Sequence, residues 1–158
     1  MRGSSLSIWA LALLCACATS YTPRGNDRDQ VMAYVNRAAE LVARHGQAAC
    51  PMFSEPRWKS GDWYIFVTDA DTERTACHPA QPELVGQDVA NLRDSAGTSI
   101  GREMAAVAAG PAGRGWVEYM WPRPGRTAPE PKSAYVVGVT GQDGRRYIVG
   151  SGGYGMLR

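Results

Sequence analysis

From Val31 to His45 the apolar residues return every three or four positions. Val31, Tyr34, Val35, Ala38, Leu41, Val42 and His45 therefore share one face of a helix. Asn26 or Asp27 supplies the cap before it, and Gly46 the stop after it. The spacing changes at Gly61. Between Gly61 and Pro79, Tyr64, Phe66 and Thr68 alternate with Trp63, Ile65 and Val67, which is the two-residue period of a strand. A run apolar on both faces predicts a central strand covered on both sides. Asp69, Asp71, Thr72 and Glu73 make a polar turn, and Thr75 to His78 return. Pro79 stops the pairing because it has no N–H.

Residues 47–60 link helix and hairpin, with Pro51 and Pro56 in the link and Phe53 and Trp58 tucked inward. After the hairpin, Pro79 to Leu84 reads as a turn and Gly86 to Leu92 as a short helical turn. Ser99 to Ala108 predicts a short helix with Ile100, Met104 and Val107 facing in, broken by Gly110 to Gly115. Strands follow. Trp116 to Trp121 alternates Val117, Tyr119 and Trp121 against Trp116, Glu118 and Met120. Pro122 to Pro131 is a loop. Ser133 to Thr140 and Arg146 to Ser151 pair around a Gln142-Asp143-Gly144 turn. One long helix, two strands, a helical insertion and three strands, joined by short connections, predict an α+β domain with antiparallel pairing.

A chain of 158 residues is long enough to bury a core without staples. The formal charge of +2, with no dense Lys/Arg run, argues against nucleic acid and against a basic membrane patch. Met1 to Ala18 reads as an export signal, with Arg2 before a short apolar core from Leu6 to Leu14. Two cleavage readings are open. Ala16-Cys17-Ala18 suits ordinary signal peptidase and releases Thr19. Leu14-Cys15-Ala16-Cys17 resembles a lipobox, with Cys17 lipidated, although Cys15 departs from the usual residue there. Residues 19–26 form a flexible leader. No later apolar run approaches the roughly 20 residues of a spanning helix. The expectation is an exported protein, in the periplasm or held to a membrane by N-terminal lipid. In that oxidising setting Cys50 and Cys77 default to a disulfide.

Several chemistries are argued against by spacing. Asp69-Ala70-Asp71 opens like a calcium loop, but Arg74 and Ala80 stand where the loop needs Gly and Glu. Gly150 to Gly155 matches G-x-G-x-x-G, yet too little chain follows for a helix to meet a pyrophosphate; a final strand with bulges, or close packing against the long helix, is the better account. Cys77 and His78 are adjacent on a strand and point to opposite faces, so they make neither a dyad nor a metal site. The acids cluster in turns, and no G-x-S-x-G, H-E-x-x-H or P-loop pattern occurs. The reading is a non-enzyme with no cofactor and no metal.

The segments Gly61 to Asp69 (GDWYIFVTD), His78-Pro79, Pro82 to Gly86 (PELVG), Gly115 to Pro122 (GWVEYMWP), Pro131 to Tyr135 (PKSAY) and Ile148 to Tyr154 (IVGSGGY) together resemble the single Cache domain family, type 2, of bacterial extracytoplasmic sensors. The resemblance runs from Val31 to Tyr154 and places a Cache domain over residues 27–158. It implies a PAS-like five-stranded antiparallel sheet behind the long N-terminal helix, and a small-ligand pocket under the helical insertion. It also implies a ligand such as acetate, pyruvate or lactate. In that frame Lys132 and Tyr64 hold the anionic end, Tyr135 assists, and Phe66, Tyr119 and Trp121 wall the apolar part. His78 donates to the anion or sets a pH response. Against this, the aromatics can be plain core, Lys132 a solvated surface residue, and His78 a hydrogen-bond partner of a turn. Family members usually precede a transmembrane helix and an output domain, and neither follows here before Arg158. The expectation is therefore a free-standing binding module that signals through a separate membrane receptor or kinase. The alternative is a structural or interaction protein with the same fold and no small ligand.

Overall fold

The structure is a computed structural model and describes residues 19–156. The expected export signal and the Cys17 lipidation site lie outside the described residues. The leader is held down rather than free at Tyr21, whose N–H donates to Arg57 O at 2.8 Å and whose ring packs on Trp58.

Helix α1 spans Arg28–His45. Asp27 caps it, accepting from Asp29 N and from Gln30 Nε2, each at 2.9 Å. Gly46 ends it at φ 55°, and its N–H donates to Val42 O. Val31, Tyr34, Val35, Ala38, Ala39 and Val42 are buried along one stripe. His45, expected on that stripe, is exposed in the last turn, where a basic group suits the helix dipole. A 3₁₀ helix, Gly46–Ser54, replaces the expected irregular link, and it buries Phe53. Trp58 is buried as expected, and its carbonyl accepts from the Tyr34 hydroxyl.

The sheet has five strands: β1 (Phe66–Asp69), β2 (Arg74–Cys77), β3 (Arg114–Pro122), β4 (Pro129–Thr140) and β5 (Arg146–Tyr154). Their order is β2-β1-β5-β4-β3, and every neighbouring pair is antiparallel. Helix α2 spans Ile100–Ala109. The sheet separates two cores. Trp63, Ile65, Val67, Tyr147 and Val149 pack against α1, whereas Tyr64, Phe66, Val117, Ala134, Val136 and Ile148 pack toward α2. The expected alternation through the first strand is thus realised, with both faces covered.

The regular part of β1 is shorter than the pattern predicts. It leaves the ladder just before Phe66, the partner of Gly150. Beyond that point the Tyr64 carbonyl accepts from the Ser151 hydroxyl at 2.8 Å, so a side chain replaces the ladder bond. Residues 86–92 are not helical. They run beside β2, with Thr75 N donating to Gln87 O at 3.0 Å and Gly86 N to Thr75 O at 2.8 Å. The reason is that β2 is an edge strand, and its open groups need partners. The loop expected from Pro122 to Pro131 is also shorter, because β4 already begins at Pro129.

Gly150 and Gly152 of β5 serve close packing, but against Phe66 and β4 rather than against the long helix. A Cβ on Gly152 would stand 2.2 Å from Ser133 O, and one on Gly150 would stand 2.4 Å from the Phe66 ring. Because the obstacle at Gly152 is backbone, Gly152→Ala is expected to cost about 1–3 kcal/mol as overpacking. Urea denaturation measures this, and an unchanged midpoint would contradict it. Cys50 and Cys77 form a disulfide that ties the 3₁₀ helix to the end of β2, with Cα atoms 5.5 Å apart.

Candidate functional site

Residue parity on β4 decides what faces the α2 side of the sheet. Lys132 pairs with Tyr119 on β3 and Tyr154 on β5, and it shares a face with Ala134 and Val136. Its side chain is only 2% exposed. The amine donates to Tyr64 Oη at 2.7 Å and lies 4.3 Å from the centre of the Tyr64 ring. The ring centres of Tyr154, Phe66 and Tyr119 stand 5.5, 5.8 and 5.9 Å away. This is an aromatic cage around an ammonium. Among the described residues no carboxylate forms an ion pair with it. Burial pulls its pKa down to about 7, and the charge of Asp62 opposes this only in part.

Asp62 is committed elsewhere. It pairs with Arg123, whose Nε also holds Glu130 at 2.9 Å and whose guanidinium lies 4.5 Å over the Tyr154 ring. Tyr154 donates its hydroxyl proton to Pro122 O at 2.7 Å. Burial pushes the phenols of Tyr64, Tyr119 and Tyr154 above their ordinary range.

Beside the cage, between sheet and α2, is a cavity of about 50 Å³. Phe66, His78, Met104, Tyr119, Trp121 and Ile148 contribute to its wall. At about 10–15 Å³ per water-sized atom, it holds roughly three to five such atoms. Lys132 and Tyr64 do not line it. Phe66 and Tyr119 belong to both, since they line the cavity and their rings also flank the Lys132 amine.

The structure therefore brings Tyr64, Phe66, His78, Tyr119, Trp121 and Lys132 together, and Lys132 is not a solvated surface residue. Tyr135 is a correction. It lies three residues from Lys132, hence on the opposite face, where it packs with the α1 core and stands 5.4 Å from the Trp116 ring. His78 needs a correction of role. Its Nδ1 accepts from Gln81 N at 3.1 Å, which leaves the proton on Nε2. Burial first, and then the charge on Lys132, hold its pKa down at about 3. The imidazole stays neutral near neutral pH, so it can donate one hydrogen bond but does not sense acidity there. Tyr154, Asp62 and Arg123 were not among the expected site residues. Their link to Lys132 runs through strand pairing and one ion pair, which no local pattern reports.

The profile of the family described as single Cache domain 2 matches residues 36–155. The methyl-accepting chemotaxis protein McpP of Pseudomonas putida is 35% identical over 114 residues, which make up 67% of this chain and 20% of that receptor. This chain therefore corresponds to about a fifth of that receptor's length. A solved periplasmic sensor domain of a chemotaxis protein is 32% identical with a TM-score of 0.67, over 80% of this chain and 94% of that one. A solved Cache chemosensory domain, described for its recognition of a carboxylic acid, is 29% identical with a TM-score of 0.66, over 80% and 92% of the two chains. A methyl-accepting chemotaxis protein of Vibrio parahaemolyticus, 20% identical with a TM-score of 0.64 over 80% and 86%, shares the fold.

Proposed function

The chain belongs to the single Cache domain 2 family of non-enzymatic sensor domains, and from that we propose that it binds a small monocarboxylic acid between its sheet and α2. Lys132 and Tyr64 take the anionic end, while Phe66, Tyr119, Trp121 and the neutral His78 enclose the short apolar end. The observation that carries this reading is the amine of Lys132, fully buried with one hydrogen-bond partner. A charge left so is costly unless a partner of opposite sign arrives. The relative described for carboxylic acid recognition supports the same chemistry. The cavity volume favours the smallest acids. Among the described residues no Asp or Glu lines it, so the ammonium of an amino acid would find no counter-charge from them there.

A small-ligand site is favoured over a purely structural role by a cavity beside a buried amine that has no ion-pair partner among the described residues. The binding event is proposed to reach a membrane receptor or a kinase, as suits a relative of chemotaxis receptors. Cache sensor domains are extracytoplasmic, and among the described residues no helix is long and apolar enough to cross a membrane. Lipid anchoring through Cys17 belongs to the same proposal.

Thermal unfolding with acetate, propionate, pyruvate and lactate tests the ligand. At about 100 times its dissociation constant a ligand adds about 2.7 kcal/mol to stability. Propionate is expected to raise the melting temperature and alanine to leave it unchanged. A panel in which every acid is silent at millimolar concentration would sink the reading.

A further inference from the structure

Four rings surround the Lys132 amine, and Asp94 and Glu118 share with Lys132 the lining of a neighbouring groove. Tyr64 comes from the segment before β1, Phe66 from β1, Tyr119 from β3 and Tyr154 from β5. From α2 the buried side chains turned toward this core are Ile100 and Met104. His78, beyond β2, has its ring 4.9 Å from that of Tyr64. The carboxylate whose charge reaches the amine is Asp62, and it is shared with Arg123, which also holds Glu130. An amine in such a cage has two states to choose between. As ammonium it gains the ring faces but has no ion-pair partner among the described residues; as a neutral amine it avoids the cost of a buried charge.

We infer that a carboxylate enters this site together with one proton, that Lys132 receives that proton, and that Asp62 is the positioning charge that sets how readily it does so. The inference rests on the carboxylate reading above and adds its regulation.

The balance is simple. The ligand arrives as R–COO⁻, a solvent proton adds to the amine lone pair, and the product is an ion pair of carboxylate and ammonium. No bond to carbon forms or breaks. The net event equals uptake of the undissociated acid. Before binding, burial holds the amine near half protonation at about pH 7. A carboxylate in contact favours the ammonium. The other facing groups stay fixed in this range. The three phenols are shifted upward and remain protonated, and the imidazole, held at about 3, remains neutral. The protein thus reads the acid and the acidity of its surroundings together.

Asp62 is the adjustable part. Its charge favours the ammonium, opposing the larger effect of burial. Removing that charge moves the midpoint to lower pH. Releasing it from Arg123 moves the midpoint upward.

Calorimetric titration of the purified protein with propionate, in buffers of different ionisation enthalpy, tests this. Propionate itself stays ionised from about pH 6 to about pH 9. Proton uptake is expected to approach one per propionate at the alkaline end and to vanish at the acid end. With one linked proton and an amine of about 7, the dissociation constant rises about fifty-fold between about pH 7 and about pH 9. Asp62→Asn shifts that profile toward acid and Arg123→Gln shifts it toward alkali. Propionate binding with no proton uptake and a flat profile would overturn the inference and leave the carboxylate reading standing. Absence of propionate binding at every pH would remove both. A profile that neither variant moves would overturn the role of Asp62.

Discussion

Replacing Lys132 with methionine is expected to make the protein more stable and blind to carboxylates. Methionine keeps the length of the stem and fills the cage with an apolar, polarisable group. The amine it removes is buried and has no ion-pair partner among the described residues, and burial is what lowers its pKa to about 7. Exchanging buried ionic groups for apolar ones of similar volume typically gains about 1–4 kcal/mol. Tyr64 Oη loses one donor in the exchange, at a cost of about 1 kcal/mol. The net expectation is a gain of up to about 3 kcal/mol, read as roughly 2–4 °C in melting temperature per kcal/mol for a chain of this size. Propionate should then produce no shift at all.

The pH dependence of stability supplies a second readout from the same proteins. In the unfolded chain a lysine titrates at about 10.4, and in the fold Lys132 titrates at about 7. Between those values the unfolded state holds a proton that the folded state has released, so stability rises with pH. Below about 7 both states are protonated and the penalty is present in full. Above about 10 the unfolded chain's tyrosines begin to ionise, and the raised phenols of the fold reverse the trend. The wild type should therefore gain stability between about pH 7 and about pH 10, and Lys132→Met should not. His78 gives an internal control. Held at about 3 in the fold and at 6.5 ordinarily, it makes stability rise with pH between those values in both proteins. A methionine variant less stable than wild type, with the alkaline rise intact, would mean that the amine is well solvated in the fold.

The legible parts of this molecule were those encoded locally. Helix α1 is written in its stripe, which holds as far as Val42 but not at His45, in a cap at Asn26 or Asp27, of which Asp27 serves, and in its Gly46 stop. The division of Trp63, Ile65 and Val67 from Tyr64 and Phe66 follows from the two-residue period alone. The segments that resemble a Cache domain do belong to one, and the sheet has the expected five antiparallel strands. The family resemblance implies a place for Tyr135 in the pocket beside Lys132. Strand parity argues the opposite, since residues an odd number apart face opposite ways. That error was avoidable from sequence. The extended course of residues 86–92 was not, because it depends on β2 being an edge, which is a property of the sheet. Tyr154 and Asp62 were equally hidden, since register and an ion pair bring them near Lys132.

The second large effect is expected at the disulfide. Cys50 and Cys77 are separated by 27 positions. Closing a loop of that length lowers the entropy of the unfolded chain by an amount worth about 3.6 kcal/mol in the chain-entropy model. The link joins the 3₁₀ helix on the α1 side to the last residue of β2, and His78 follows immediately. His78 is also held by Gln81 N, and its ring meets Tyr64, Phe66 and Trp121. Cys50→Ala with Cys77→Ala should therefore lower stability by about 3–4 kcal/mol, and the remaining contacts should keep propionate affinity within about tenfold of wild type, or about 1.4 kcal/mol. The paired substitution avoids a free thiol, and urea denaturation with and without reductant checks it. The wild type should fall to the variant's midpoint when reduced, whereas the variant should ignore reductant. Equal midpoints for the oxidised wild type and the variant would show that the link adds no stability. A far greater loss of affinity would show that β2 and His78 are held in place chiefly by this bond, making the pocket wall dependent on the oxidising compartment.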